Sequence, residues 1–290
     1  MALLVLCAQA IPDRFEVATV DHGLRAEAAA ECALVEVTCT ACGIACTTLK
    51  VALASGNLQQ EARRARYAAL GDWAAQRGLV ALATAHHSDD QAETLLMRLN
   101  RGSGLGGLAG IRPTARLPGC TVPVIRPLLA FRRSELAEVV AAAGVQCVAD
   151  SSNQDDRFDR VRVRAALAGA DWLDPAMLAR SASLLGEAEE TLAAMADSAW
   201  QQGATVSADH VAVSLGPWHE INLRLLEHAL ATFDRQASRS DLAALLDQLD
   251  RDGAKANLAG VLVTRRGERI ECAPEPPRRV QRSTPQHRSS

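Results

Sequence analysis

Short apolar runs alternate with longer helical patterns along the first half of the chain, and this alternation constrains the fold more than any other feature. The runs typical of β-strands are 15–20, 44–51 and 79–85. Helical patterns lie between them, at 26–42 and 58–77, and each is followed by a glycine, as is common at helix C-termini. The run 79–85 is unbroken, which predicts a strand buried on both faces of a parallel sheet. Together these patterns predict an α/β fold with a doubly wound, mostly parallel sheet.

The pattern changes near residue 170, where we predict a domain boundary. A chain of 290 residues is long enough for two domains. Residues 1–170 form the predicted α/β domain, and 171–273 a smaller α-rich second domain with strand-like runs at 205–215 and 260–272. The segment 274–290 is rich in Pro, Arg and Ser, which predicts a disordered tail.

Charge and cysteine content limit the class of protein. The formal net charge of -3 provides no global attraction for nucleic acid, so any RNA contact has to come from local arginine clusters, which otherwise are solvated helix faces. The apolar start of the chain has no basic segment before it, and no apolar stretch is long enough to span a bilayer. We therefore expect a cytoplasmic protein without membrane contact, whose eight cysteines are buried thiols.

The segment Ala85–Thr94 carries the clearest signal for a reaction centre, because two histidines and three acids follow a strand. In open α/β sheets, ligands bind at the carboxyl ends of strands. Ser88 and Gln91 have capping-box spacing, which predicts a helix that begins at Asp89.

Asp90 and Glu93 are three residues apart, so a helix places them on one face. Paired carboxylates suit Mg²⁺ bound together with phosphate oxygens. The alternative is that the first acids only favour the helix dipole and that Glu93 is a surface residue.

Two further clusters are ambiguous. The glycine-rich segment Arg101–Gly107 allows backbone amides to approach an anion, but it is neither a P-loop nor a dinucleotide fingerprint, and by itself it favours a flexible loop. Cys39, Cys42 and Cys46 have spacing that a metal site can use, although no second close pair follows, which favours buried thiols.

Several motif blocks, taken in order, resemble the tRNA(Ile)-lysidine synthetases, which are ATP-pyrophosphatase enzymes. The blocks cover about 17–164 and comprise Val20–Arg25, Gln60–Tyr67, Ala85–Thr94, Arg101–Gly104 with Gly107–Leu108, Arg126–Leu129, Asp150–Asn153 and Arg160–Arg164. The resemblance implies an ATP-pyrophosphatase domain at 1–170. Val161 departs from the family, which usually has asparagine after the arginine.

The resemblance also implies a function and a set of site residues. The expected reaction is ATP-dependent ligation of L-lysine to the wobble cytidine of tRNA(Ile) with a CAU anticodon, through an adenylated cytidine, with ATP as substrate, Mg²⁺ as cofactor and no stable protein partner. The expected catalytic residues are His86, Asp90, Glu93 and Arg160, with Asp90 and Glu93 as the metal ligands. The expected ATP-binding residues are Val20, His22, Arg101, Gly102 and Gly104. The expected tRNA-binding residues are Arg63, Arg64, Arg162 and Arg164.

One family feature has no counterpart in this sequence. The family opens with a strand and a Ser-Gly-Gly-x-Asp-Ser loop that binds pyrophosphate, whereas Met1–Leu4 resembles the helix that follows this loop. We expect a start codon assigned too far downstream. Two alternatives stay open: a tRNA thiolase of the same superfamily, which would give the cysteines a role, and an inactive tRNA-binding remnant.

Overall fold

The computed structural model describes residues 1–21, 26–51, 58–145 and 159–275. The chain divides into two compact units, Met1–Glu187 and Ala188–Ser290. The division falls inside the helix Pro175–Gly203.

The first unit alternates helices and strands, as predicted. Its helices are α1 (Ala2–Ala10), α2 (Ala26–Ala41), α3 (Leu58–Gln76), α4 (Ser88–Asn100), α5 (Leu105–Leu108), α6 (Arg133–Ala142), α7 (Asp159–Ala168) and the beginning of α8 (Pro175–Gly203). Its strands are β1 (Val17–Asp21), β2 (Cys46–Lys50), β3 (Leu82–Ala83), β4 (Thr114–Ala115) and β5 (Val124–Ile125).

The strands of this unit pair mostly in parallel. β1 lies parallel to β2, with Val17 opposite Cys46, and β3 lies parallel to β5, with Leu82 opposite Val124. β4 joins β5 in the antiparallel sense. Buried side chains of α3, β3 and β5 form a core of Tyr67, Trp73, Ala74, Leu82 and Val124. The packing positions the carboxyl end of β3, where α4 begins.

Two details of the predicted sheet are wrong. The run 79–85 forms only the two-residue strand β3, and Val80 is 86% exposed, so the run is not a strand buried on both faces. The four prolines in 112–127 predict a loop, but this segment contains β4 and β5. Strands of two residues are too short to produce a periodic pattern, so tertiary pairing alone reveals them.

The second unit combines helices with an antiparallel sheet. Its helices are the end of α8, α9 (His219–Ala231) and α10 (Arg239–Gln248), and its strands are β6 (Ala204–Val206), β7 (Val211–Ser214), β8 (Lys255–Leu258), β9 (Val261–Arg266) and β10 (Arg269–Pro274). The strand order is β6-β7-β10-β9-β8. Leu226 and Leu230 of α9 pack with Val213, Val263 and Ile270 of the sheet in one core. The unit therefore holds the predicted helices and, in addition, a five-stranded sheet.

The predicted disordered tail begins at Pro274, which is the last residue of β10. The remainder of that tail, from residue 276, lies outside the described residues. Within the described part of the chain, no helix has the length and apolarity needed to cross a membrane.

Candidate active site at the carboxyl end of β3

The candidate site is built where β3 ends beside β5. The Thr84 backbone N–H donates to the Ile125 carbonyl at 3.0 Å, which continues the parallel pairing beyond β3. The chain then passes through His86 and His87 into α4. This edge, with the carboxyl ends of two parallel strands, is where α/β sheets bind ligands.

The first turn of α4 is capped by His87, one residue earlier than the sequence predicts. The Asp90 backbone N–H donates to His87 Nδ1 at 3.3 Å, and the His87 backbone N–H donates to Asp90 Oδ2 at 3.0 Å. The predicted capping box of Ser88 and Gln91 is therefore wrong. Gln91 instead bonds both backbone groups of Ile111, at 2.5 and 3.1 Å, because its side chain faces that segment.

His86 lies in a half-buried position beside several guanidinium groups. Its Nδ1 is 2.9 Å from Thr84 Oγ1. Burial, together with the charges of Arg126, Arg63 and Arg160, lowers the pKa of His86 to about 4, although Asp90 opposes this shift. The imidazole is therefore neutral at pH 7.

Two carboxylates of α4 and two arginines of α7 form a compact ionic cluster. Arg160 donates from Nε to Glu93 Oε2 at 2.6 Å and from Nη2 to Asp90 Oδ1 at 2.9 Å. Arg164 donates from Nε to Glu93 Oε1 at 2.7 Å. Asp90 and Glu93 thus share a helix face. The structure brings them together with Arg160, predicted as catalytic, and with Arg164, predicted to bind tRNA.

Glu93 is the buried centre of this cluster, with 3% of its side chain exposed. Burial raises its pKa, but hydrogen bonds and charge from Arg164 and Arg160 outweigh burial, so the pKa lies below its usual value. Glu93 is therefore ionised at neutral pH.

The carboxylates of this cluster do not fit a Mg²⁺ ion in the observed arrangement. Both oxygens of Glu93 and one of Asp90 accept hydrogen bonds from guanidinium groups, and an ion would have to displace Arg160. Within the described ranges, no group of three or more His, Cys, Asp or Glu side chains is arranged to hold a metal. The assignment of Mg²⁺ to Asp90 and Glu93 stays a prediction.

The residues predicted to bind ATP are distributed over several segments. Val20 lies near the carboxyl end of β1, opposite Leu49 of β2, whereas His22 lies outside the described residues. Gly102 has a positive φ of 65°, which favours glycine, and Gly104 is the N-cap of α5.

Arg101 lies at the C-terminus of α4 and contacts α7. Its Nη2 is 2.7 Å from Asp159 Oδ2, and Asp159 also accepts from Arg162 at 2.5 Å. The three side chains line a cavity of about 410 Å³ between α4 and α7. An anion has to compete with Asp159 for both guanidinium groups.

The predicted tRNA-binding arginines separate into two groups. Arg63 and Arg64 are exposed on α3, and Arg162 is exposed on α7. Arg164 instead belongs to the Glu93 cluster. Its direct contact with tRNA stays a prediction.

Arg126 and Tyr67 are not among the site residues predicted from the sequence, yet both lie near His86. Arg126 follows β5 directly and is 6% exposed, and Tyr67 is 5% exposed on α3. An arginine directly after an apolar Val-Ile pair, at a strand's carboxyl end, is the sequence signal that identifies the position.

The cysteines with metal-like spacing lie at the end of α2 and the start of β2. Cys39 is buried, Cys42 is exposed and Cys46 is half-buried. Burial, together with the neighbouring Cys46, raises the pKa of Cys39 to about 12, so Cys39 is a protonated thiol at neutral pH.

Comparisons with known proteins assign the part of the chain that holds the candidate site to a known domain family. Residues 1–170 match the model of the PP-loop domain family ATP_bind_3. The chain is 46% identical over 268 residues to the tRNA(Ile)-lysidine synthase of Novosphingobium aromaticivorans, an alignment that covers 90% of this chain and 81% of the relative. It is 38% identical over 299 residues to the tRNA(Ile)-lysidine synthase of Methylobacterium sp. strain 4-46, covering 95% and 86% of the two chains.

A solved structure supports the same fold. The U34-tRNA thiolase NcsA of Methanococcus maripaludis superimposes with a TM-score of 0.52 at 16% identity, over 64% of this chain and 68% of that one. At this identity the likeness shows the fold alone. With its PP-loop domain and its extended identity to curated relatives, the chain belongs to the ATP-using tRNA(Ile)-lysidine synthase family of ligases.

Proposed function

We propose that this protein ligates L-lysine to the wobble cytidine of tRNA(Ile) with a CAU anticodon, at the expense of ATP. The observation that carries the proposal is the cluster of Asp90, Glu93, Arg160 and Arg164 beside His86, at the ligand-binding edge of a PP-loop domain. Curated relatives named tRNA(Ile)-lysidine synthase support it.

The reaction has two steps. The C2 oxygen of cytidine attacks the α-phosphorus of ATP, a P–O bond forms, and pyrophosphate leaves. The lysine side-chain amine then attacks C2, the C2–O bond breaks, AMP leaves with the oxygen, and the amine loses a proton. Negative charge develops on the departing phosphate in both steps, so fixed positive charge near it accelerates them.

Arg160 is the proposed source of that charge. Its guanidinium is held by Asp90 and Glu93 yet remains 41% exposed, so one side stays accessible to a ligand. His86 is neutral, and its proposed role is a hydrogen bond to substrate rather than charge neutralisation. Asp90 and Glu93 fix the orientation of the arginine side chains, so these side chains do not have to reorient when the substrate binds.

The remaining expected contacts belong to the same proposal. Val20, His22, Gly102 and Gly104, with Arg101, are the proposed contacts of ATP. The proposed contacts of tRNA phosphates are Arg63, Arg64, Arg162 and Arg164, which position the anticodon without reading its sequence. A tRNA substrate favours the cytoplasm.

The test expresses the natural gene in bacteria depleted of their lysidine synthetase. Growth, together with lysidine at the wobble position by mass spectrometry of tRNA(Ile), is the expected outcome. A purified protein that transfers lysine only when ATP is present completes the test. Unmodified cytidine despite soluble protein contradicts the proposal, and a sulfur-containing nucleoside assigns the thiolase alternative.

A further inference from the structure

A buried arginine next to His86 lacks a counter-charge in the described structure. Arg126 is 6% exposed, and its Nη1 donates to the backbone carbonyl of Arg112 at 2.6 Å. Its Nε has no hydrogen-bond partner among the described residues. A buried cation with neutral partners is costly unless an anion compensates it.

Tyr67 connects Arg126 to a second arginine. The Tyr67 side chain hydrogen-bonds to Arg126, and Arg63 lies over the face of its ring, with Cζ 5.0 Å from the centroid. Both guanidinium groups therefore contact the same buried tyrosine, and the charge of Arg63 acts on Arg126. Arg126 is the buried member of this pair, and Arg63 is the exposed one.

The backbone places this pair at the candidate active site. Arg126 follows β5 directly, and Thr84, which pairs with the end of β5, contacts His86 through its hydroxyl. The positive charges of Arg126, Arg63 and Arg160 lower the pKa of His86. Among the described residues, Asp90 is the carboxylate that opposes them. Asp90 is itself bound by Arg160, so the charges of the described residues around His86 are mostly positive.

We propose that Arg63 and Arg126, joined by Tyr67, form a phosphate-binding site beside His86. Arg63 makes the exposed contact, and the buried charge of Arg126 strengthens it because the surroundings are poorly screened. The phosphate belongs either to ATP or to the tRNA backbone near the wobble nucleotide. This inference rests on the proposed function and adds a site to it.

The experiment compares the natural protein with the variants Arg126→Met, Arg126→Lys and Arg63→Gln. Affinities for ATP, for a tRNA(Ile) transcript and for L-lysine are measured separately by calorimetry and fluorescence anisotropy. Arg126→Met keeps the length of the side chain without its charge, and Arg126→Lys keeps the charge. Arg116→Gln is the matched control, because Arg116 is exposed in the segment between β4 and β5.

We expect Arg126→Met and Arg63→Gln to weaken one phosphate ligand by at least about tenfold, and Arg126→Lys to recover part of the loss. If ATP affinity alone falls, the phosphate is that of the nucleotide. If tRNA affinity alone falls, together with its salt dependence, the phosphate is that of the backbone. If a variant still binds the other phosphate ligand with natural affinity, general misfolding does not explain its loss.

Three results overturn the inference: unchanged affinities for both phosphate ligands, a loss confined to L-lysine, or equal losses of all ligands in Arg126→Lys and Arg126→Met. If Arg126→Met does not fold, the exposed Arg63→Gln decides the question. A natural protein that binds neither ATP nor tRNA contradicts the proposed function instead, so the two failures are distinct.

Discussion

At the scale of single residues, Arg160 is the side chain that bridges both carboxylates of α4. Lysine carries the same charge but offers a single point of contact, so it does not reproduce a planar guanidinium held at two places. We expect Arg160→Lys to lower the rate of lysine transfer at saturating substrates by at least about tenfold. Steady-state kinetics beside the control Arg116→Gln measure the effect. A rate for Arg160→Lys equal to that of the natural protein removes Arg160 from the reaction.

The ion pairs of Glu93 are expected to stabilise the folded protein. Its carboxylate compensates two guanidinium groups, which are themselves partly exposed and therefore screened. We expect Glu93→Gln to lower the free energy of unfolding by about 1–3 kcal/mol in metal-free buffer. Urea unfolding measures this loss. A loss that appears only when Mg²⁺ is added supports the metal assignment instead, because an ion that binds the folded state stabilises it.

The ion pairs of Glu93 also make the stability of the folded protein depend on pH. The pKa of Glu93 is depressed in the folded protein, so its contribution is complete above the ordinary value of 4.5 and is lost as the pH falls through the lower folded value. Stability of the natural protein should therefore decrease on acidification, and Glu93→Gln should show a flatter curve in this range. Parallel curves for the two proteins would contradict the assigned ion pairs.

At the scale of elements, two residues compete as the N-cap of α4: Ser88, predicted from the sequence, and His87, observed in the structure. A capping box at Ser88 predicts a loss of about 1 kcal/mol for Ser88→Ala. In the structure, His87 is the cap, and the buried Ser88 Oγ has no hydrogen-bond partner within the described residues. We expect Ser88→Ala to leave stability unchanged or to raise it slightly, since it removes an unsatisfied polar group. A chemical unfolding curve that shifts toward lower urea would restore the sequence-based cap.

At the scale of the whole molecule, the net charge of -3 means that tRNA has to be attracted by local arginines. Arg64 is exposed on α3, one residue after Arg63. If it contacts a phosphate, Arg64→Gln should reduce the slope of log affinity for tRNA against log salt by about 0.7–0.9. Binding measured between low and moderate salt gives this slope, and Arg116→Gln should keep the natural value. An unchanged slope for Arg64→Gln excludes that contact.

The chain has two hydrophobic cores, one in each unit, and different kinds of elements enclose them. The core of the first unit includes α3, β3 and β5, whereas α9 and an antiparallel sheet enclose the core of the second. Helix α8 runs through the division between the two units, whereas the match to the PP-loop domain family ends at residue 170, near the change of composition. A helical pattern continues through a domain boundary because hydrogen bonding within the helix is local.

Sequence alone determined the features that arise from short-range order. The helices α2 and α3 follow from apolar periodicity and the glycines that end them. The motif 85–94 places His86 just before α4 and puts Asp90 and Glu93 on one face of it, because residues three apart are neighbours on a helix. Tertiary structure alone decided which charges meet. Arg160 reaches Glu93 across 67 positions of the chain, and the packing of α3 against β5 brings Tyr67 to Arg126. Such contacts leave no periodic trace in the sequence, because they depend on how distant segments pack.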